Sequence, residues 1–519
     1  MKKPRLAVGY WLLIPALFLV HTLFYFFALG TDAVDDAYIS FRYAQNAIRG
    51  YGLFFNPGER VEGFTNFLWT TLMIPLEGAH VDVGRASMVL GVLFGLATLW
   101  LVIQFVKTVG ASRSAALLAV FLLAVDGSFA LWSVAGLETA MFAFLVFAGA
   151  LLYVREQTNS TLPYSGIFFA LAAMTRPEGL MVFAVTVAHQ AGWRLLAERR
   201  LFTRRDIERV VGFVALFVPY WMGRWWYYKS FLPNSFYAKV SVSGPEAQIE
   251  RGWNHLNQFI DVHTGWIIVL PAFASVASAL KRKTNKQDAL TPHPSPLAPV
   301  FWTTYCTSII VIYSAYIVYV GGDWSVGRFF VPLLAPFYLL FSTGIVEIWH
   351  WVVDRWMRGW GMRVQYAALT VSILLGALLF SFSSWNGEYG IYIRGFGAAE
   401  ATRARETMGK WLYSHVPRGT LIAVDAAGQV PYFSELPAID MFGINDLHIG
   451  RMKVATLGEG TPGHEKFDLG YVIARDPKYV VIYGNLFDSV KEYERAPVEW
   501  TTNPGMEKFL TLYQRRSTP

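Results

Sequence analysis

A single cysteine, Cys306, stands in the whole chain of 519 residues, so no intrachain disulfide can staple it. Cys306 lies inside an apolar run, where a thiol packs as a small hydrophobe. Charge is also scarce: Asp, Glu, Lys and Arg make up 16% of the residues, against about 25% in ordinary soluble domains. The net charge of +7 does not describe a nucleic-acid footprint, because the basic residues fall in short clusters between apolar runs. There is no Walker loop, zinc-ligand spacing, nucleophile elbow or dinucleotide fingerprint. No internal repeat is evident, which argues against the repeat symmetry common in transporters.

What the chain has in quantity is apolar sequence, at 54% of residues, with 19 Trp, 26 Tyr and 39 Phe. Long apolar runs of this kind read as a polytopic membrane protein, and the aromatics suit interfacial belts. The runs fall near 9–29, 86–106, 114–132, 138–154, 164–175, 179–193, 210–228, 262–280, 299–320, 329–350 and 364–384. If all of them span, there are about eleven transmembrane helices. The N-terminal Lys2, Lys3 and Arg5, and the clusters after every second run, then all face the cytoplasm. The stretch TRPEG (Thr175–Gly179) reads as a turn between two short spans, and 64–80 as a helix lying along the outer interface.

That topology places a polar segment, 30–85, outside the membrane directly after the first span. It holds Asp35 and Asp36, then Tyr38, Arg42 and Gln45 or Asn46 at helical spacing, then Glu62 and Asn66 ahead of Phe67 and Trp69. Adjacent carboxylates point in different directions, so one suits a general base and the other a ligand or orienting partner. Capping of the helix that follows is the plainer account of the pair. Further polar groups reach the same face: Glu138 in GLET, Arg176 and Glu178 in TRPEG, Asn234, Tyr237 and Lys239 in LPNSFYAK, and Asp323 and Arg328 in GGDWSVGRF. Each has a structural alternative: an Arg176–Glu178 ion pair, a helix-end charge at Glu138, a snorkelling Lys239. Their convergence on one face describes a polar cleft at the bilayer surface. The chain is therefore read as an α-helical membrane domain, 1–384, followed by an extracytoplasmic α/β domain, 385–519. The strands TLIAVD (420–425) and YVVIYG (479–484) mark the latter. Its Asp425, Tyr432, Asp440 and Asp446 suit either glycan binding or simple structure.

The blocks DDAYISFRYAQNAIRGYGLFFNPGERVEGFTNFLW, GLETAMF, TRPEGL, LPNSFYAK, GGDWSVGRFFVP and DAAGQVPYFSELPAIDMFGIND, in this order, resemble the multi-spanning GT-C glycosyltransferases. They resemble most the terminal arabinofuranosyltransferase family of mycobacterial cell-wall assembly. DDAYISFRYA is more distantly similar to the Asp-Glu loop of protein O-mannosyltransferases and of lipid A aminoarabinose transferase; here Asp36 stands where those loops carry Glu. The resemblance implies a multi-pass enzyme of the bacterial inner membrane, with a cytoplasmic N-terminus. It would transfer a sugar, such as a pentofuranose, from a polyprenyl-phosphate donor to an extracytoplasmic glycan, lipid or protein. It implies Asp35 as the base and Asp36 as a sugar or metal ligand, with no cofactor specified beyond an optional divalent metal. Lys239, Arg176 and Arg328 are then expected near the donor phosphate, and Glu62, Asn66 and Glu138 at sugar hydroxyls. A polyprenyl-lipid flippase and a non-catalytic envelope-assembly factor on the same fold are the other readings.

Overall fold

The computed structural model describes residues 6–158, 162–240, 245–284, 299–325, 327–356, 398–496 and 508–516. Its first part is helical: α1 (Leu6–Ala28), α2 (Asp35–Ile48), α3 (Phe67–Gly78), α4 (Val83–Val109), α5 (Arg113–Val125), α6 (Gly127–Val134), α7 (Thr139–Arg155) and α8 (Ser165–Thr175). It continues with α9 (Glu178–Glu198), α10 (Arg204–Tyr228), α11 (Asn234–Lys239), α12 (Glu246–Val262), α13 (Val269–Thr284), α14 (Pro299–Val320) and α15 (Val331–Trp356).

Apolar composition and spanning length do not coincide here. Among the described residues four helices are long and apolar enough to cross a membrane: Val83–Val109, Glu178–Ala197, Pro299–Val320 and Arg328–Trp356. Two bent pairs, α5 with α6 at 57° and α12 with Trp266–Lys281 at 75°, raise the number to six if each is one span. Leu13–Ala28, α7 and α8 are apolar but shorter, and α10 opens on Arg204, Arg205, Asp206, Glu208 and Arg209. The expected eleven spans are thus not confirmed, and the run at 364–384 lies outside the described residues.

The breaks have chemical causes. Between α5 and α6, the buried Asp126 caps the second helix by accepting from Phe129 N at 2.7 Å. Its other oxygen accepts from Tyr338 Oη at 2.7 Å and lies 3.0 Å from His263 Nε2, so the exposed helix end is satisfied internally. Between α8 and α9, Arg176 is extended (φ −152°, ψ 140°) because Pro177 follows it. TRPEG therefore separates two helices, as its sequence suggests.

From Ala398 onward the described chain is a second, α/β body. Its sheet runs β2 (Ala438–Asp440), β1 (Ile422–Val424), β3 (Tyr479–Ile482), β5 (Thr511–Arg515), β4 (Tyr493–Arg495). The first three strands are parallel, and β5 and β4 are antiparallel to their neighbours. Strand alternation sorts the core: Ala423, Ile439 and Val480 face Val472 and Phe487, while Ile422, Val424 and Val481 face Met408 and Leu412 of the helix Ala398–His415. Ile39, Tyr43, Phe55, Phe64 and Tyr228 complete this second core. The domain thus shares its interior with the polar segment and α10. The expected border at 384/385 falls outside the described residues.

Candidate active site

α2 starts at Asp35, with Val34 extended as its N-cap and no side chain capping it. Val34 is pinned by its N–H to the Ala135 carbonyl at 3.1 Å. Both carboxylates lie in the first turn, where the helix dipole favours negative charge. Neither caps the helix, and they diverge. Asp35 turns to the α/β domain and accepts from Gly428 N at 3.1 Å and Gln429 N at 2.9 Å. Arg405 Nε lies 3.9 Å from it. Burial pushes the Asp35 carboxyl above its ordinary value, against the opposing pull of Arg405 and the two amides. Gly428 has to be glycine, because a Cβ there would overlap the Asp35 carbonyl oxygen.

The amides come from the turn after β1, at the carboxyl end of the parallel strands. β1 leads to β2 on one side and β3 lies on the other, so this is the switch point of the sheet, where open α/β folds bind ligands. Asp425 closes it by accepting from Tyr483 N at 2.6 Å. Burial raises the Asp425 carboxyl, and the Asp35 charge adds to the rise.

Asp36 faces a different set of groups. Its Oδ2 accepts from Trp324 Nε1 at 3.1 Å and lies 3.6 Å from Arg328 Nη1, and its side chain is 36% exposed. Arg328 also lies 3.6 Å from Asp323 and 3.5 Å from Glu138. The Arg328 Nε is buried without a hydrogen-bond partner. Glu138 is the hub: it receives Arg176 Nη1 at 2.7 Å and Asn66 Nδ2 at 2.8 Å. Arg176 is spent, since its other nitrogens donate to both Glu178 oxygens at 3.3 and 2.9 Å. Thus Asp36, Asn66, Glu138, Arg176, Glu178, Asp323 and Arg328, from five separated stretches, form one charge network.

Other expected site residues hold the α/β domain in place instead. Arg42 is buried and donates to the carbonyls of Phe55, Pro431 and Leu436. Asn234 Nδ2 donates to the Gly443, Ile444 and Asp446 carbonyls at 2.8–3.1 Å. Tyr38 donates to Asp32 at 2.6 Å and packs on Tyr432. Tyr237 lies under Arg451, and its carbonyl accepts from Lys466 Nζ at 2.8 Å. Lys239 is half-buried beside Gly463. Glu62 is locked by Arg224 in a bidentate pair, both side chains at most 4% exposed. Its assignment to a sugar hydroxyl gives way to this clamp. Glu62→Ala strands a buried guanidinium and is expected to cost about 3–5 kcal/mol. A thermal-unfolding midpoint unchanged in Glu62→Ala and lowered in Arg224→Ala would refute that.

In the charge network Asp36 does not suit a resident metal: Arg328 competes for it with a fixed positive charge, and among the described residues no three His, Cys, Asp or Glu form a group that could hold an ion. Residues missed in sequence are Arg405, Gly428, Gln429 and Trp324. Gly428 and Gln429 in DAAGQ and Trp324 in GGDW stood within quoted motifs; Arg405 did not.

This fold, in which helices with short polar breaks carry a charge cluster under an α/β domain, is shared with a solved membrane-protein structure. The structure of ArnT from Cupriavidus metallidurans bound to undecaprenyl phosphate superposes with a TM-score of 0.60 over 98% of both chains, at 12% identity. In sequence the chain is similar to two curated proteins, each named terminal beta-(1->2)-arabinofuranosyltransferase. The Corynebacterium glutamicum protein is 25% identical over 385 residues, 70% of this chain and 52% of its own length. The Mycobacterium tuberculosis protein is 26% identical over 341 residues, 60% of this chain and 52% of its own. The chain therefore spans about half the length of the curated relatives it matches. A family model described as a domain of unknown function, DUF8728, matches residues 392–516.

Proposed function

We propose that the protein is a membrane glycosyltransferase that moves a sugar, a pentofuranose such as arabinofuranose, from a polyprenyl-phosphate donor to an extracytoplasmic acceptor. The observation that carries the reading is the divergence of Asp35 and Asp36. One is a half-buried carboxylate with a raised pKa, and its neighbour meets the Arg328–Glu138 network. Similarity to two arabinofuranosyltransferases and to an undecaprenyl-phosphate-binding protein supports the donor class.

In this reading Asp35 takes the proton of an acceptor hydroxyl as that oxygen bonds to the anomeric carbon. The bond from that carbon to the phosphate oxygen breaks, and polyprenyl phosphate leaves with the electron pair. A raised pKa makes Asp35 a stronger base than an ordinary aspartate. Arg328 stands where the leaving phosphate gathers charge, and Asp36 stabilises positive charge on the sugar ring. Glu138 bridges Arg176 and Arg328 through one oxygen, and Asn66 orients Glu138. Residues 30–85, the Arg176–Glu178 turn and the α/β domain would face outward, with the N-terminus in the cytoplasm and the donor lipid in the outer leaflet.

A panel of radiolabelled polyprenyl-phosphoryl pentoses and hexoses, incubated with membranes containing the protein, tests the reading. Acceptor-dependent loss of label from at least one lipid is expected, and intact lipid throughout would refute it. The pH dependence has a fixed sign. The base works unprotonated, so the rate rises as pH climbs through the raised Asp35 pKa and levels off above it. Arg405 lowers that pKa, so Arg405→Gln moves the acid limb to higher pH. A limb that moves down, or stays, in kcat/KM profiles contradicts Asp35 as the base.

A further inference from the structure

Beside the charge network lies a cleft of about 630 Å³, within the range of roughly 300–1,000 Å³ usual for ligand sites. One wall is α12, which presents Glu250, Asn254 and Gln258 at four-residue spacing, all exposed. The floor is Gly321, Asp323 and Trp324, and the far wall is the loop 458–462 of the α/β domain. Arg251 ties the walls together, donating to the Gly321 carbonyl at 2.9 Å, the Gly460 carbonyl at 2.8 Å and Glu465 at 2.8 Å.

Charge decides what fits. Glu250, Asp323 and Glu459 line the cleft; Asp323 faces Arg328 at 3.6 Å, and the one lining arginine, Arg251, is already paired with Glu465, so Glu250 and Glu459 leave the cleft acidic. A lipid phosphate would be repelled there, whereas a neutral polyol is not. Asn254 and Gln258 offer amide donors and acceptors, and Trp324 offers a ring face for an apolar sugar edge. Trp324 is also the residue that donates to Asp36, so a ligand in the cleft touches the wall of the charge network. The Asp323 Oδ2 and His255 Nε2 atoms, at the cleft's edge, are buried without hydrogen-bond partners.

We propose that this cleft binds the acceptor glycan, a neutral carbohydrate chain, between α12 and the 458–462 loop. The proposal rests on the transferase reading above and names the half of that reaction which the donor-side residues do not serve. Asn254 and Gln258 are specificity residues that hold sugar hydroxyls.

The test is binding rather than turnover, so that it is separable from transferase activity. The full chain in lipid nanodiscs is titrated with a neutral arabinofuranosyl oligosaccharide, and separately with polyprenyl phosphate. Asn254→Ala with Gln258→Ala removes two hydrogen-bonding side chains from exposed positions and is expected to weaken oligosaccharide binding about tenfold or more. Polyprenyl phosphate affinity stays unchanged, and the two ligands do not compete. A second variant, Glu250→Lys, leaves polyprenyl phosphate affinity unchanged if the cleft is not a phosphate site. Oligosaccharide affinity within twofold of wild type in the double variant overturns the proposal. So does competition between the ligands, tighter phosphate binding in Glu250→Lys, or no oligosaccharide binding by the wild type. Oligosaccharide binding in a protein that never turns over donor leaves the cleft standing and removes the transferase reading.

Discussion

Asp35→Asn is expected to cut sugar transfer by about 10²–10⁴ while the protein still inserts and folds, because the substitution removes one general base and little else. The amide keeps an oxygen that can accept from Gly428 N or Gln429 N, whose bonds to Asp35 are 3.1 and 2.9 Å. It loses the ability to take a proton. Removing a carboxylate that is costly to bury also relieves the folded state, so the thermal midpoint holds or rises. Asp36→Asn is the informative partner. Its carboxylate accepts from Trp324 and faces Arg328, so the loss falls on stabilisation of the sugar rather than on proton removal. The acid limb of the rate profile is then retained in Asp36→Asn and abolished in Asp35→Asn. Equal profiles in the two variants would separate neither role and refute the assignment.

The second large effect is expected at Gly428. An added methyl overlaps the Asp35 carbonyl oxygen and crowds its carboxyl carbon, so the 426–430 turn has to back away from α2. Both amide bonds to Asp35 go with it. Gly428→Ala should therefore lose activity by a factor approaching that of Asp35→Asn. Residual activity should show an acid limb at higher pH, since the amides that favour the ionised carboxylate are gone. Gly470→Ala is the control in the same domain, with only the Asp468 Oδ1 atom at 3.5 Å from the new methyl. A Gly428→Ala enzyme with wild-type rate and profile would show that the α/β domain does not position Asp35.

How much of this is visible in the sequence differs by feature. β1 and β3 are short apolar runs, IAV and YVVI, and they read as buried strands directly. β2, AID, and β4, YER, are three residues each and carry no such signal. The span count could not be confirmed from apolar composition, because composition says nothing of continuity. One carboxylate, Asp126, divides a run of about twenty residues into two helices bent by 57°. The charge cluster was legible because Glu138, Arg176 and Arg328 stand at breaks where an ion has no business in hydrocarbon. The docking residues were not. A buried Arg42 bound to three backbone carbonyls has the same one-letter signature as an arginine that binds phosphate, and only its partners, two of them nearly 400 residues away, tell them apart. Arg405 and Gly428 belong to that same contact, which no local pattern announces.

The most direct measurement is the fate of a radiolabelled polyprenyl-phosphoryl pentose in the outer leaflet of vesicles holding the purified protein, wild type beside Asp35→Asn. The account predicts that the wild type moves label from lipid to a water-soluble glycan only when acceptor is present, and that the variant does not. Equal transfer by both proteins, or uncleaved lipid crossing to the inner leaflet, would contradict it.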